Sequence, residues 1–322
     1  MKILITGSKG VVGNALASEL KSRGKTVFGI DLTHDMGERG FEQKMFEGPW
    51  EYARCDIREY RQLERIFKEV GPFDMVYNCA AEFGRWNGED FYENVWTTNV
   101  IGLKNILRLQ EHYGFKLIHF SSSEVYGDYP GLMKESVMDT HEIKQLNDYA
   151  ISKWANELMI QNSCSLYQTE TVIVRLFNTY GPGEYYHPYR SVNCKFCYHA
   201  LKKLPITVYK SHFRSSTFLS DAISTIATIS DRFIPSRIYN IGNDELVDIG
   251  QIANIVWELT EAPLSLISFK DTEPQTTITK EADFSLATKE LGHQNKVSLK
   301  YGLKLTLDWM RDLYQDGNRP FL

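Results

Sequence analysis

The segment TGSKGVVG, residues 6–13, constrains this chain more than any other, because it follows the apolar run KILI and opens an amphipathic stretch. Its glycines, Gly7, Gly10 and Gly13, recur every three residues. Glycine permits a tight turn and lets backbone N–H groups approach a ligand with no Cβ in the way. Those N–H groups and the positive end of the following helix suit a pyrophosphate, so Gly7, Gly10, Val11, Val12 and Gly13 are read as the phosphate cradle of a dinucleotide. A glycine-rich turn can also serve merely to join strand and helix. Asp31 tips the balance, since it closes the second apolar run about twenty residues on, where a carboxylate accepts hydrogen bonds from ribose hydroxyls and repels a 2′-phosphate. NAD is therefore expected rather than NADP.

Short β-branched runs alternate with amphipathic segments through the first half, the pattern of βαβ units building a parallel sheet. Strands are predicted at 2–6, 26–31, 51–55, 75–79, 116–121 and 171–175, and helices at 11–23, 60–70, 90–112 and 148–163, each helix with apolar residues three or four apart. After Asn178 the texture changes to TYGPGEYYHPYRS, which cannot continue as a regular helix or a central strand. The expected organisation is α/β: a Rossmann doubly wound parallel sheet over 1–178, with returning segments near 215–245, and a smaller, mainly substrate-binding region over 179–322.

Composition narrows the class of function. With 43% hydrophobic residues over 322 positions, the chain has enough apolar content for a large core. Its net charge of −5 is spread along the length, which speaks against nucleic acid or an anionic membrane as partner. MKILITG leads straight into strand and glycine loop with no leader signal, and no later run reaches membrane-spanning length, so a soluble cytoplasmic protein is expected. Five cysteines make an odd count for a disulfide framework; Cys194 and Cys197 form a lone CxxC without a second pair or matching histidines, and no metal site is expected there.

Tyr149 and Lys153, in YAISK, are four apart at the start of a predicted helix and so share a face. A free phenol titrates near 10, but a neighbouring ammonium and a positive nicotinamide ring both favour the phenolate. Tyr149 thereby becomes a candidate acid/base for a sugar hydroxyl.

The ordered series TGSKGVVG, NCAA, SSSEVYG, YAISK, RLFNTYGPG, RSSTFLSD and YNIG resembles the extended short-chain dehydrogenases/reductases, the NAD-dependent nucleotide-sugar epimerase/dehydratase family, over nearly the whole chain. The resemblance implies that Asp56 and Ile57 flank the adenine, that Ala80, Ala81 and Asn99 belong to the cofactor site, and that Lys153 also holds the nicotinamide ribose. It implies that Asn178 and Arg214 contact the nucleotide diphosphate or sugar, a role that suits a guanidinium, whose planar fork meets phosphate oxygens with two hydrogen bonds. Tyr185–Arg190, with Tyr189 and Arg190 as the principal candidates, falls where such enzymes contact base and sugar; Arg85 and Trp86 follow the fourth strand and are read as sugar contacts.

In this family a glutamate at the position of Glu124 accompanies dehydratases and decarboxylases, whereas simple 4-epimerases usually lack a carboxylate there. The implied chemistry has Tyr149, helped by Ser122, take the C4 hydroxyl proton as hydride leaves C4; Glu124 then removes the acidified C5 proton, and water departs from C6. One dehydratase branch carries aspartate as general acid where this chain has Ser123, and serine is a poor acid. The decarboxylase branch uses arginine to hold a substrate carboxylate where this chain offers Lys280. The sequence thus favours a nucleotide-sugar 4,6-dehydratase-type enzyme, with 4-epimerase and UDP-glucuronate decarboxylase-like chemistry as alternatives and a non-catalytic NAD-sensing protein as the competitor from another class. A nucleotide-diphosphate sugar is the expected substrate, and a homodimer paired through the helices at 90–112 and 148–163 the expected assembly.

Overall fold

The computed structural model describes residues 1–33 and 51–314. Seven parallel strands form the central sheet: β1 (Lys2–Thr6), β2 (Thr26–Asp31), β3 (Glu51–Arg54), β4 (Met75–Asn78), β5 (Lys116–Ser122), β6 (Thr171–Leu176) and β9 (Ile238–Ile241). Their order is β3-β2-β1-β4-β5-β6-β9. The order reverses between β1 and β4, and a crevice opens outside the carboxyl ends of the strands at such a switch point. Strands buried on both faces read as continuous apolar runs, as in β1, where Ile3, Leu4 and Ile5 are wholly buried.

Helix α1 (Val11–Ser22) buries Leu16, Ala17 and Leu20 on one face, and α2 (Tyr60–Glu69) buries Leu63, Ile66 and Phe67 on the other. The segment expected as one helix over 90–112 is broken. Arg85–Asp90 and Tyr92–Trp96 are separate short helices divided at Phe91 (φ −139°, ψ 56°), and a π-helical turn, Thr97–Ile101, leads into α3 (Gly102–Tyr113). Such turns interrupt the regular ladder and often mark functional positions. Helix α4 (Asp148–Tyr167) is continuous and capped by the Asn147 side chain, which accepts a hydrogen bond from Ala150 N at 2.8 Å.

Beyond Asn178 the chain forms α5 (Val192–Leu201), β7 (Ile206–Tyr209) and β8 (Phe213–Ser215), then returns to the first layer. Helix α6 (Leu219–Thr228) packs on α1, where Arg23 donates to Thr228 Oγ1 at 3.0 Å, and β9 pairs with β6. The remaining chain adds β10 (Leu246–Asp248), α7 (Ile249–Thr260), β11 (Ile267–Lys270), β12 (Thr279–Lys280) and α8 (Leu299–Tyr314). Helices α5, α7 and α8 enclose a second apolar core in which Cys194 and Cys197 are fully buried beside Trp257 and Met310. The CxxC spacing thus turns both thiols into that one core. No helix among the described residues is long and apolar enough to cross a membrane.

Candidate active site

A cavity of about 660 Å³ runs from the glycine loop, across the ends of β4 and β5, to α5 and β8. At one end, Gly7 adopts φ +65°, and a Cβ there would lie 2.7 Å from Ala80 N. A Cβ on Gly13 would lie 2.2 Å from Gly7 O. The loop therefore folds against itself and the end of β4 so tightly that only glycine fits, while Gly10 starts α1 with no side-chain cap, leaving its first N–H groups open. Val11 and Val12 line the cavity beside the glycines. The Asp31 carboxylate, also on the wall, accepts from Lys9 N at 2.9 Å and Thr33 N at 3.2 Å. An uncapped helix start and a carboxylate at the end of β2 fit NAD. Gly13→Ala is expected to weaken NAD binding by about 10- to 100-fold, the equivalent of about 1–3 kcal/mol of overpacking, read by calorimetric titration. Unchanged affinity would mean the loop yields without cost.

Ala80 and Ala81 line the cavity, and Thr6 Oγ1 fixes that segment by accepting from Ala80 N at 3.1 Å. Two expected cofactor contacts are placed differently. Asn99 is buried in the π-helical turn and does not line the cavity; its amide accepts from Glu82 N at 2.9 Å and donates to Glu82 O at 3.0 Å and Ser152 Oγ at 3.0 Å. It holds the loop after β4 instead. Asp56 turns its carboxylate to Arg58, 2.7 Å from Nη2, and leaves Cys55 and Ile57 on either side to form the wall. Burial raises the Asp56 carboxyl, and the hydrogen bonds and charge of Arg58 outweigh it, leaving the group below its ordinary value.

Tyr149, Lys153, Ser122, Ser123 and Glu124 converge on the middle of the cavity. Ser122 ends β5 and caps the 3-10 turn Ser123–Tyr126, accepting from Glu124 N at 3.2 Å. Burial pushes the Tyr149 phenol up to about 12, the Glu124 charge acts in the same direction, and a hydrogen bond with Ser122 opposes both. Lys153 stands by the ring of Tyr149 rather than hydrogen-bonded to its hydroxyl. Lys153 Nζ lies 5.9 Å from the centre of the Tyr149 ring and donates to Phe120 O at 2.8 Å, and burial brings it down to about 8.

Glu124 is the most strongly held group of the site. Its carboxylate pairs with Lys280 of β12, lies 3.9 Å from Arg85 Nε, and accepts from Asn147 Nδ2 at 3.4 Å. Burial alone would raise it, but the cations of Lys280, Arg85 and Arg214 hold it at about 2. Lys280 is itself buried behind Glu124, outside the cavity wall.

Towards α5, Arg214 is buried yet lines the cavity, donating to Ile278 O at 2.7 Å and Thr276 Oγ1 at 3.0 Å. Burial pushes its guanidinium down to about 10, opposed by Glu124. Arg85 donates to Glu273 Oε1 at 3.0 Å, and Trp86 stands next to it on the wall. Asn178, at φ +38°, donates to Ser215 O at 3.1 Å. Tyr189 donates to Asp90 Oδ2 at 2.5 Å, and the Arg190 guanidinium lies 4.0 Å over the Phe83 ring; both line the cavity. Tyr185 and Tyr186 do not, since Tyr185 packs edge-on against Trp309 and Tyr186 stacks on Tyr198 at 3.8 Å. Lys195 of α5 and Glu273 also line the cavity and had no sequence signal, one being a lone cation among apolar residues and the other brought in from a distant segment.

The model of the NAD dependent epimerase/dehydratase family matches residues 3–242. A UDP-glucuronic acid decarboxylase 1 of Arabidopsis thaliana is 30% identical over 94% of this chain and 68% of its own length. A UDP-glucuronate 4-epimerase of Thermodesulfobacterium geofontis is 28% identical over 96% of each chain. Among solved structures, a UDP-glucose 4-epimerase of Thermus thermophilus in complex with NAD superposes with a TM-score of 0.84 at 25% identity, covering 97% of this chain and 99% of that one.

Proposed function

The chain belongs to the NAD dependent epimerase/dehydratase family, and we propose that within it the protein is a nucleotide-sugar 4,6-dehydratase-type enzyme that works through a 4-keto sugar and returns hydride internally. What supports this reading is that Tyr149, Ser122 and Glu124 line the same cavity as Gly7, Gly10 and Gly13. Gly7, Gly10, Gly13 and Asp31 would hold NAD, which would supply a reversible hydride acceptor for the sugar C4 and a positive ring that would favour the Tyr149 phenolate.

The Tyr149 oxygen takes the proton of the C4 hydroxyl, and the Ser122 hydroxyl, already hydrogen-bonded to it, steadies the exchanged charge. A C4 ketone acidifies the C5 proton, because the resulting carbanion spreads onto oxygen. Glu124, held ionised by Lys280, Arg85 and Arg214, is the carboxylate proposed to remove that proton and pass it to the C6 hydroxyl, which leaves as water; hydride then returns to C6 and a proton to C5. Its ion pair with Lys280 makes it a weak base until the substrate redistributes the surrounding charge. Arg214, Arg85 and Lys195 offer cations to a diphosphate. Asp31, Arg190, Tyr189 and Asn178 complete the proposed contacts at the two ends. The same reading takes the protein to be a cytoplasmic homodimer, and its pairing is supported by the exposed aromatic and aliphatic side chains Phe91, Tyr92, Trp96, Ile101, Ile151 and Leu158 on α4 and the segments packed beside it.

Incubation with UDP-, GDP-, dTDP- and CDP-sugars, read by mass spectrometry, is expected to give a product lighter by water, about 18 mass units. Bound NAD is expected to persist through purification. A loss of about 44 mass units would instead mark decarboxylation. That second reading is the weaker one, because Lys280 stands where arginine would hold a substrate carboxylate, and this cation is engaged by Glu124 and does not line the cavity. No mass change with inversion at C4 would mark a 4-epimerase.

A further inference from the structure

Behind the Tyr149–Glu124 wall lies a buried ion pair that the proposed chemistry does not use. Arg175 of β6 and Glu157 of α4 have side chains only 1% and 0% exposed, and they meet through two parallel hydrogen bonds, Nη2 to Oε2 at 2.7 Å and Nε to Oε1 at 3.0 Å. A buried pair costs so much desolvation that an apolar replacement of the same shape often stabilises a fold as well or better. Stability is therefore a poor explanation for it. What the planar guanidinium fork supplies is direction.

Two of the remaining hydrogen bonds run to elements that carry part of the site, the end of β5 and the 123–126 turn. Ser121, next to Ser122 at the end of β5, donates to Glu157 Oε1 at 2.5 Å. Arg175 Nη1 donates at 2.9 Å to the hydroxyl of Tyr126, two residues past Glu124 on the same 3-10 turn, and at 3.0 Å to Glu135 O. Tyr126 donates in turn to Asn240 Oδ1 at 2.8 Å, and Asn240 Nδ2 donates to Met133 O at 2.9 Å. Met133 N donates to Glu281 O at 2.9 Å, next to Lys280. Glu157 also stands two helical turns beyond Tyr149 and one beyond Lys153 on α4.

We propose that Glu157 and Arg175 are positioning residues, which lock α4, the end of β5 and the 123–126 turn into one register and so set the Tyr149 phenol and the Glu124 carboxylate against a single substrate carbon pair. The proposal rests on the dehydratase reading above. Neither residue touches the cavity, so they act only through the groups they hold. A misplacement of the turn by about 1 Å costs on the order of a hundredfold in rate.

The most direct test is Tyr126→Phe, which keeps the ring and removes only the hydroxyl between Arg175 and Asn240. The holoenzyme is expected to fold and keep its NAD, and the KM for the sugar nucleotide is expected to stay put. Deuterium uptake at C5 from heavy water should fall at least about tenfold relative to transient NADH formation, because the turn bearing Glu124 loses its guide while Tyr149 on α4 does not. A parallel fall of both steps together with Tm, or an unchanged ratio, overturns the positioning role. Absence of C5 exchange in the unaltered enzyme sinks the dehydratase reading on which this proposal rests, whereas exchange there with an unchanged ratio in Tyr126→Phe sinks the positioning role alone.

Glu157→Gln adds a second, independent readout. Lys153 donates to Phe120 O and is faced by Cys79 just past β4, His119 from β5, and Tyr149 and Glu157 from its own helix. Of these, Cys79 and Glu157 favour its charged form. Removing the Glu157 charge makes Lys153 lose its proton at lower pH, so the alkaline limb of the pH–rate profile is expected to move acidward. A limb that stays in place overturns this arm, and if the variant fails to fold, Tyr126→Phe decides alone.

Discussion

Replacing Tyr149 with phenylalanine is expected to lower turnover by about 10²- to 10⁴-fold while NAD stays bound. The substitution removes one oxygen from the middle of the cavity and leaves the cradle of Gly7, Gly10 and Gly13 untouched at the other end. Burial and the Glu124 charge raise the Tyr149 phenol to about 12, and a cation against it favours the phenolate that the exchange needs. Phenylalanine has nothing to trade. Steady-state rates on whichever sugar nucleotide gives product, together with calorimetric NAD titration, separate the two effects. Wild-type turnover in this variant would remove Tyr149 from the chemistry and assign the proton exchange to another group.

Glu124→Gln is expected to uncouple the reaction at its midpoint. Hydride transfer from C4 and its proton exchange through Tyr149 do not involve Glu124, so transient NADH should still form, whereas loss of water should fall by about 10²- to 10⁴-fold. Retained elimination would assign the C5 proton to another group. The variant also leaves Lys280 buried without its carboxylate, and removing one partner of a buried pair costs about 3–5 kcal/mol, so a lower Tm is expected alongside the kinetic effect. The pH dependence has a definite sign. Glu124 is held at about 2 in the folded chain, below the ordinary carboxylate range. Its stabilising contribution is fully present above that range and is lost as pH falls towards 2.

Much of this was legible in order along the chain. The glycine loop was legible because position and residue type act together: a turn between strand and helix that tolerates no Cβ admits little but glycine, and Gly13, where a Cβ would lie only 2.2 Å from Gly7 O, shows why. The Tyr149–Lys153 pair was legible because a helix converts a spacing of four into a shared face. The break in the 90–112 helix was not. Apolar spacing persists through Phe91 and the π-helical turn, and the contact of Asn99 with Glu82, 17 residues back, is made only in three dimensions. Tyr185 and Tyr186 were misplaced for a similar reason: an aromatic-rich loop suits a base-stacking wall and a packed core equally well until Trp309 and Tyr198 are brought to it.

Local sequence alone determined the parallel α/β sheet, the cofactor loop and the identity of the acid/base candidates, since each depends on groups within a few residues of one another and on periodicities that the backbone imposes. Tertiary structure alone decided the electrostatics. Lys280 reaches Glu124 from 156 residues away, Arg85 meets Glu273 across 188, and Arg175 stands between Glu157 and Tyr126 from three separate elements. A carboxylate's charge, basicity and direction are set by what lies within a few ångströms of it in space, and no reading along the chain measures that distance.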